Sequence, residues 1–241
     1  MVFFDTQEGL RIPAVTAAEM REVDRIAVEE FGLGILQMME NAGRNLAENA
    51  LVMLGKSDCE IVVLAGAGGN GGGGLCCARH LHNRGCTVKV VLDHAPDQLK
   101  GPAAVQWHIL QTAGVECVPS GMVDRALERA GLIIDALIGY SLRGTPQGYT
   151  AELISLCNAK SIPVLALDLP SGLNATTGES PGVVIRANRI LTLALPKTGL
   201  RNIPGALYLA DIGIPPEVYR QVGIDVPVLF SKRYWIQLQT A

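Results

Sequence analysis

The sequence is short of charge, of aromatic residues and of long apolar runs, and each shortage excludes a class of protein. Charged residues make up 18% of the chain and the formal net charge is −3. A basic surface for nucleic acid or an anionic membrane is therefore not expected. No apolar run approaches the roughly 18 residues of a membrane-spanning helix, and the N-terminus lacks the pattern of a secretory signal. We expect a cytoplasmic protein with neither a nucleic-acid nor a membrane partner.

The sequence also lacks the cysteine spacing of a metal or disulfide framework. Its six cysteines contain no C-x-x-C pair, and its four histidines are scattered rather than clustered. A structural zinc site needs tighter grouping of these residues. We therefore interpret the cysteines as small buried side chains in a reducing compartment.

What the chain does have is apolar segments that alternate with helical ones. After two helical segments with a capping box at Thr16 and Glu19, six apolar runs resemble buried strands. This alternation predicts an α/β fold: a three-layer sandwich with a mostly parallel, Rossmann-like sheet and a helical N-terminal extension. We expect one domain over residues 1–241, with N-terminal helices at about 16–54, a Rossmann-like core at about 58–214 and a C-terminal tail. The predicted strands lie within 59–65, 87–93, 132–139, 163–172, 189–196 and 206–213, and helices within 75–83, 103–112, 124–130 and 151–158.

A glycine-rich segment follows the first predicted strand of the core. Seven of the nine residues from Gly66 to Gly74 are glycine. So many glycines indicate unusual backbone angles or a close approach of the backbone to something else. The segment fits G-x-G-x-x-G, and Asp93 follows near the distance typical of a dinucleotide-binding dehydrogenase, but close strand–helix packing alone would give the same pattern. A Walker loop is excluded, because no lysine follows the glycines.

Polar residues at the other strand ends make a more specific pattern. Ligands of parallel sheets bind beyond the carboxyl ends of the strands. Besides the glycine segment, the motifs there are Asp135-Ala136-Leu137-Ile138-Gly139 through Arg143-Gly144, Asp168-Leu169-Pro170-Ser171-Gly172, and a loop containing Lys197. With the upstream segment Met38–Glu48, these motifs in this order resemble the NAD(P)H-hydrate epimerase family, also called the YjeF N-terminal domain. The resemblance covers roughly residues 14–220.

The resemblance implies a repair activity on a damaged dinucleotide. The family interconverts the R and S forms of NADHX and NADPHX, which carry a hydroxyl at C6 of the nicotinamide ring. A separate ATP- or ADP-dependent NAD(P)H-hydrate dehydratase, specific for S, then restores the cofactor. The resemblance also favours a homodimer. We expect an isomerase whose reaction proceeds by loss of the hydroxyl, assisted by the lone pair of N1, and re-addition of water to the other face.

The resemblance also implies roles for individual residues. Asp168 matches the family's active-site aspartate and is the candidate for protonating the leaving hydroxyl and activating water, although an aspartate at this place can also brace the turn. Lys197 could transfer a proton, bind phosphate or be a solvated loop residue. The family places a potassium ion in the site, with Asn70, Asp135 and Ser171 as side-chain ligands; hydrogen bonds from loop amides could satisfy Asp135 instead. The expected substrate-binding residues are Gly68, Gly69, Asn70, Gly71, Gly72, Gly73, Gly139, Tyr140, Ser141, Leu142, Arg143 and Asp168.

The glycine segment departs from the family pattern at two positions. Where the family has N-N-G-G-D, this chain has Gly69-Asn70-Gly71-Gly72-Gly73, so one asparagine and the aspartate are replaced by glycine. A lost hydrogen bond to a polar ligand costs about 1 to 3 kcal/mol. The departure keeps open an alternative function: a catalytically impaired relative that binds a nucleotide-like ligand and acts as a binding or scaffold protein.

Overall fold

The computed structural model describes residues 2–55 and 59–239. Two expected boundaries fall outside this part of the chain: the start of the core near residue 58 and the last two residues of the C-terminal tail. The helices are α1 (Ala17–Glu29), α2 (Ile35–Leu54), α3 (Gly69–His82), α4 (Gly101–Thr112), α5 (Val123–Arg129), α6 (Gly148–Asn158) and α7 (Pro216–Gln221). The strands are β1 (Phe3–Thr6), β2 (Arg11–Pro13), β3 (Glu60–Ala65), β4 (Val88–Leu92), β5 (Glu116–Cys117), β6 (Ala130–Ala136), β7 (Val164–Leu167), β8 (Arg189–Leu193), β9 (Ala206–Ala210) and β10 (Trp235–Gln239).

These strands form one sheet in the order β2-β1-β10-β9-β8-β7-β6-β3-β4-β5. The seven strands from β9 to β5 pair in parallel, and β10, β1 and β2 extend the sheet with antiparallel pairs. The chain runs from β3 outward to β4 and β5, then returns to place β6 on the other side of β3. Such a reversal of strand order opens a crevice at the carboxyl ends of the two central strands.

Helices cover both faces of the sheet, which confirms the predicted three-layer α/β class. Alternate residues of β3 point to opposite faces, so Ile61 and Val63 pack against α2, α3 and α4, whereas Val62 and Leu64 pack against α5 and α6. All four side chains are fully buried. Burial on both faces explains why the strand is a continuous apolar run rather than an alternating one.

The two N-terminal helices begin as their local sequence predicts. The Thr16 hydroxyl accepts a hydrogen bond from the Glu19 amide, and the Glu19 carboxylate accepts one from the Thr16 amide, which completes the predicted capping box. Met20, Val23 and Ile26 of α1 face the core. None of the helices in the described ranges is long and apolar enough to cross a membrane.

Two features differ from the sequence-based expectation. The N-terminal extension is not purely helical, because β1 and β2 precede α1, and β10 from the C-terminal region joins them to β9. The glycine segment is also not a loop up to Leu75: α3 begins at Gly69 and contains five of the glycines, Gly69 and Gly71–Gly74. Glycine has low intrinsic helix propensity, so tertiary packing overrides it here.

Candidate active site

A cavity of about 510 Å³ lies beyond the carboxyl ends of the central parallel strands, and α1 and α2 line part of it. This volume is typical of a small-molecule site. Its walls come from five regions: the N-terminal helices, the start of α3, the segment after β6, the ends of β7 and β8, and the segment after β9. The lining residues are Arg21, Asp24, Arg25, Val28, Glu29, Ile35, Met38, Met39, Ala42, Gly69, Asn70, Gly73, Gly139, Tyr140, Ser141, Leu167, Asp168, Leu193 and Ile212.

The glycine segment is built for close backbone contact. A Cβ added at Gly71 would lie 1.6 Å from the carbonyl oxygen of Gly66, and one at Gly66 would lie 2.0 Å from that of Leu137. At Gly74 a Cβ would meet Cβ of Ala136 on β6 at 2.4 Å. No glycine between 66 and 74 has a positive φ. The glycines therefore let α3 start directly against the sheet, rather than providing unusual backbone angles.

The two positions that depart from the family pattern both line the cavity. Nothing lies within 4 Å of a Cβ added at Gly69, whereas one at Gly73 would lie 2.8 Å from Cδ2 of Leu167. The Cβ of a side chain at position 69 would therefore meet no neighbouring atom. A side chain at position 73 would press on a fully buried leucine.

Asp168 lies at the end of β7 with its carboxylate held on several sides. Its backbone has φ 65°, a left-handed conformation that few non-glycine residues adopt. Oδ1 accepts hydrogen bonds from Lys197 Nζ at 2.5 Å and from the Leu193 amide at 3.3 Å, and Oδ2 accepts one from the Tyr140 amide at 3.2 Å. The side chain is 4% exposed and lines the cavity. A strained backbone that aims a buried carboxylate into a cavity is typical of a functional residue.

Lys197 is buried beneath Asp168 instead of projecting into solvent. Its side chain is 1% exposed, and Nζ donates to Asp168 Oδ1 and, at 2.8 Å, to the carbonyl oxygen of Leu193. The lysine does not line the cavity. This geometry excludes a solvated loop lysine and places the ammonium where it supports the carboxylate.

Asp135 and Ser171 meet at the ends of the adjacent strands β6 and β7. The Ser171 hydroxyl donates to Asp135 Oδ1 at 2.5 Å, the Ser171 amide donates to Oδ2 at 2.8 Å, and the Leu137 amide donates to Oδ1 at 3.2 Å. Complete burial raises the pKa of Asp135 to about 6, and the hydrogen bonds from Ser171 and Leu137 oppose that rise. The carboxylate has about four acceptor positions and uses three of them here, so it retains capacity for one more ligand.

Asn70 completes the set of side chains predicted around a cation. It lies in the first turn of α3, and its side-chain amide is 3.1 to 3.2 Å from the position that a Cβ of Gly139 would occupy. Its Nδ2 is buried without a hydrogen-bond partner among the described residues. A buried N–H donor without a partner points to a bound group that offers an acceptor atom, so this nitrogen indicates a polar ligand rather than a cation.

The expected substrate-binding residues are divided between the cavity wall and its surroundings. The cavity brings together Gly69, Asn70, Gly73, Gly139, Tyr140, Ser141 and Asp168. Outside its lining are Gly68, Gly71, Gly72, Leu142 and Arg143. The Arg143 side chain is exposed, so the structure does not place it against the cavity.

Sequence reasoning missed the contribution of α1. Arg21, Asp24 and Arg25 line the cavity, and the Tyr140 hydroxyl donates to Asp24 Oδ2 at 2.5 Å. One signal was available: Asp24 occupies a position on the apolar face of α1, directly after Val23 and one turn after Met20. A carboxylate in an apolar stripe is costly unless it has a partner.

A second polar cluster lies outside the cavity, between α2 and α3. Glu40 accepts a hydrogen bond from Arg79, pairs with His80 at 2.8 Å and lies 3.3 Å from Cys76 Sγ. The pKa of the Cys76 thiol is raised to about 12, mainly by burial and next by the negative charge of Glu40. The fold thus brings together a histidine, a cysteine and an acid that the sequence spacing did not connect. Arg79 already supplies the positive charge at this place.

Comparison with known proteins gives matches of three kinds: a family model, curated relatives and a solved structure. A family model described as the N-terminus of YjeF-related proteins matches residues 35–199. An NAD(P)H-hydrate epimerase of Dehalogenimonas lykanthroporepellens is 48% identical over 92% of this chain and 90% of its own length. A bifunctional NAD(P)H-hydrate repair enzyme of Hyperthermus butylicus is 38% identical over 92% of this chain but only 42% of its own length. A solved yeast structure, 22% identical, has the same fold with a TM-score of 0.84 over 94% of this chain and all of the yeast chain.

Proposed function

Because the chain belongs to the family of YjeF-related protein N-termini, we propose that it is an NAD(P)H-hydrate epimerase. Such an isomerase interconverts the R and S forms of hydrated NADH and NADPH for nicotinamide nucleotide repair. One observation carries the proposal: 48% identity to a relative of that name over 92% of this chain. The alternative of a non-catalytic binding protein is not favoured.

The proposed chemistry needs proton transfer at C6 of the nicotinamide ring. The lone pair of N1 expels the C6 hydroxyl as it is protonated, and a water molecule then adds to the planar centre. We assign a catalytic role to Asp168, because its carboxylate lines the cavity and is oriented by the amides of Tyr140 and Leu193. A negative charge at this place also stabilises the cationic intermediate.

Lys197 has a supporting role in this proposal. Its ammonium lies 2.5 Å from Asp168 Oδ1 and is held in place by the Leu193 carbonyl. The ammonium pairs with the carboxylate and can pass a proton along this hydrogen bond. The lysine therefore acts through Asp168 rather than on the phosphates of the dinucleotide.

The dinucleotide is proposed to lie across the start of α3. The first amides of a helix have no partner within the helix and favour anions, and Gly69 and Gly73 leave the backbone there uncovered. Gly139, Tyr140 and Ser141, which also line the cavity, offer backbone and side-chain contacts to the nicotinamide end. The cavity is thus lined for a substrate with an anionic centre and a flat ring.

A potassium ion fits the donor set of Asn70, Asp135 and Ser171. All three offer oxygen atoms, which suit a hard cation of low charge. Asp135 has an unused acceptor position and no Lys or Arg partner among the described residues. Asn70 would bind the ion through Oδ1, since Nδ2 is a hydrogen-bond donor. When bound, the ion would supply positive charge behind the cavity and hold the segments after β3, β6 and β7 in register.

The remaining proposals concern the setting of the reaction. The chain spans about two fifths of a bifunctional NAD(P)H-hydrate repair enzyme. We propose that epimerisation is coupled to an NAD(P)H-hydrate dehydratase that consumes the S form. A homodimer and a cytoplasmic location are proposed on the same family membership, and light scattering would test the dimer.

The direct experiment measures R-to-S conversion. The R epimer of hydrated NADH is supplied with an S-specific dehydratase, ATP and potassium, and NADH recovery is followed by absorbance with and without this protein. We expect the wild type to accelerate recovery above the spontaneous rate and Asp168→Asn to remove the acceleration. An unchanged rate with folded wild-type protein contradicts the proposed function.

A further inference from the structure

The cavity contains a second carboxylate, the half-buried Asp24, that the proposed role of Asp168 leaves without a function. Asp24 reaches the cavity from α1, whereas Asp168 reaches it from the end of β7. The two residues therefore reach the same cavity from different elements of the fold. An inversion at C6 needs proton transfer on both faces of the ring, because the hydroxyl leaves one face and water arrives at the other.

Tyr140 connects the two carboxylates. Its amide donates to Asp168 Oδ2 at 3.2 Å, and its hydroxyl donates to Asp24 Oδ2 at 2.5 Å. The backbone and the tip of one tyrosine thus fix both acids relative to each other. The tyrosine ring also lines the cavity, with Lys197 Nζ 5.9 Å from its centre.

The protonation states of this pair suit proton exchange. Burial raises the pKa of Asp24, while the hydrogen bond from Tyr140 opposes the rise. Burial and the charge of Asp24 raise the pKa of the Tyr140 phenol, so the phenol stays protonated. The phenol donates to the Asp24 carboxylate, and the phenol oxygen keeps lone pairs that can receive a proton from water.

We propose that Asp24 and Tyr140 together form a second proton-exchanging group, which serves the face of the nicotinamide ring turned away from Asp168. In the addition step, water forms the C6–O bond, its proton passes to the phenol oxygen, and the phenol proton passes to Asp24. In the reverse step, Asp24 returns its proton to the phenol and the phenol protonates the C6 hydroxyl. The C6–O bond then breaks, its electron pair stays on the oxygen, and water leaves. Tyr140 is the group at the reacting atoms, and Asp24 acts through it. This inference rests on the proposed epimerase activity.

The test compares Asp24→Asn, Tyr140→Phe and the double variant in the R-to-S assay. General acid–base groups contribute about 10²- to 10⁴-fold to rate. We expect each single variant to lower kcat at least about 10²-fold with KM within a few-fold of the wild type. The double variant should be no slower than the slower single variant, because residues that act as a unit are not additive. The control is Tyr149→Phe, which removes a buried hydroxyl that has no partner among the described residues and lies outside the cavity.

A second readout separates proton exchange from structural support. In oxygen-18 water, Tyr140→Phe should still exchange the C6 oxygen of the epimer whose hydroxyl faces Asp168, with retention of configuration at C6. The rate of inversion at C6 should fall in the same variant. The inference is overturned if the rates of oxygen exchange and of inversion fall in equal proportion for both epimers. It is also overturned if the losses in kcat of the two single variants multiply in the double variant, or if both single variants keep the wild-type kcat. Failure of the proposed function itself looks different, since wild-type protein would then not accelerate inversion at all.

Discussion

Replacing Lys197 by methionine removes one half of the buried ion pair that holds Asp168. Methionine keeps much of the apolar volume, but the ammonium that lies 2.5 Å from Asp168 Oδ1 is lost. The two side chains are only 1% and 4% exposed, so water cannot replace the missing charge. Breaking a buried pair by removing one partner costs about 3 to 5 kcal/mol. We expect a loss of that size in the free energy of unfolding.

Removing both charges should cost less than the two single losses together. In Asp168→Asn/Lys197→Met neither charge is left alone, so we expect a coupling free energy of about 1 to 3 kcal/mol between the two sites. Asparagine is the suitable replacement because Asp168 has φ 65°, which asparagine tolerates better than alanine does.

The assay is urea unfolding followed by circular dichroism on the wild type, both single variants and the double variant. The matched control is Lys160→Met, since Lys160 pairs with the exposed carboxylates of Asp124 and Glu128 and should leave stability nearly unchanged. The reasoning is wrong if Lys197→Met has the same free energy of unfolding as the control variant. It is also wrong if the losses in free energy of unfolding of the two single variants simply add in the double variant.

Three further outcomes follow from the same geometry. Gly71→Ala should unfold the protein or lower the free energy of unfolding by several kcal/mol, because a backbone carbonyl oxygen lies 1.6 Å from the new Cβ. Gly69→Asn should change the free energy of unfolding in urea by no more than about 1 kcal/mol, and it should lower KM. Potassium, compared with a large organic cation at equal ionic strength, should raise Tm, and Asp135→Asn should abolish that increase; an equal increase in the variant contradicts the proposed ligand. Iodoacetamide should modify the exposed Cys117 at least about tenfold faster than the buried Cys76, whose thiol pKa is raised to about 12, as mass spectrometry of labelled peptides would show.

Much of the fold was predictable because its signals are local. The capping box at Thr16 and Glu19 needs only four residues of sequence, and the structure forms it as predicted. The apolar runs that became β3 and β6 are continuous because both faces of a parallel sheet are covered. Their alternation with helices was sufficient to predict the layers of the sandwich.

The glycine segment shows where local reasoning was wrong. Glycine-rich sequence indicates a loop, yet α3 begins at Gly69. The helix forms there because Gly71 and Gly74 allow contacts with backbone and with β6 that no other residue would allow. Local sequence reasoning also did not predict that β10 pairs with β1 on one side and with β9 on the other, which joins strands that are far apart in sequence.

By itself, the sequence determined the α/β class, the order of the motifs and the family, because those depend on periodicity, turn chemistry and residue order along the chain. Only the tertiary structure decided that Lys197 lies beneath Asp168 and that Asp24 meets Tyr140 across 116 positions of sequence. Such partners have no local signature, since each residue is compatible with its own helix or loop whether or not the other is present. Their meeting is set by how α1 packs over the carboxyl ends of the parallel strands, and that packing places two acids around one cavity.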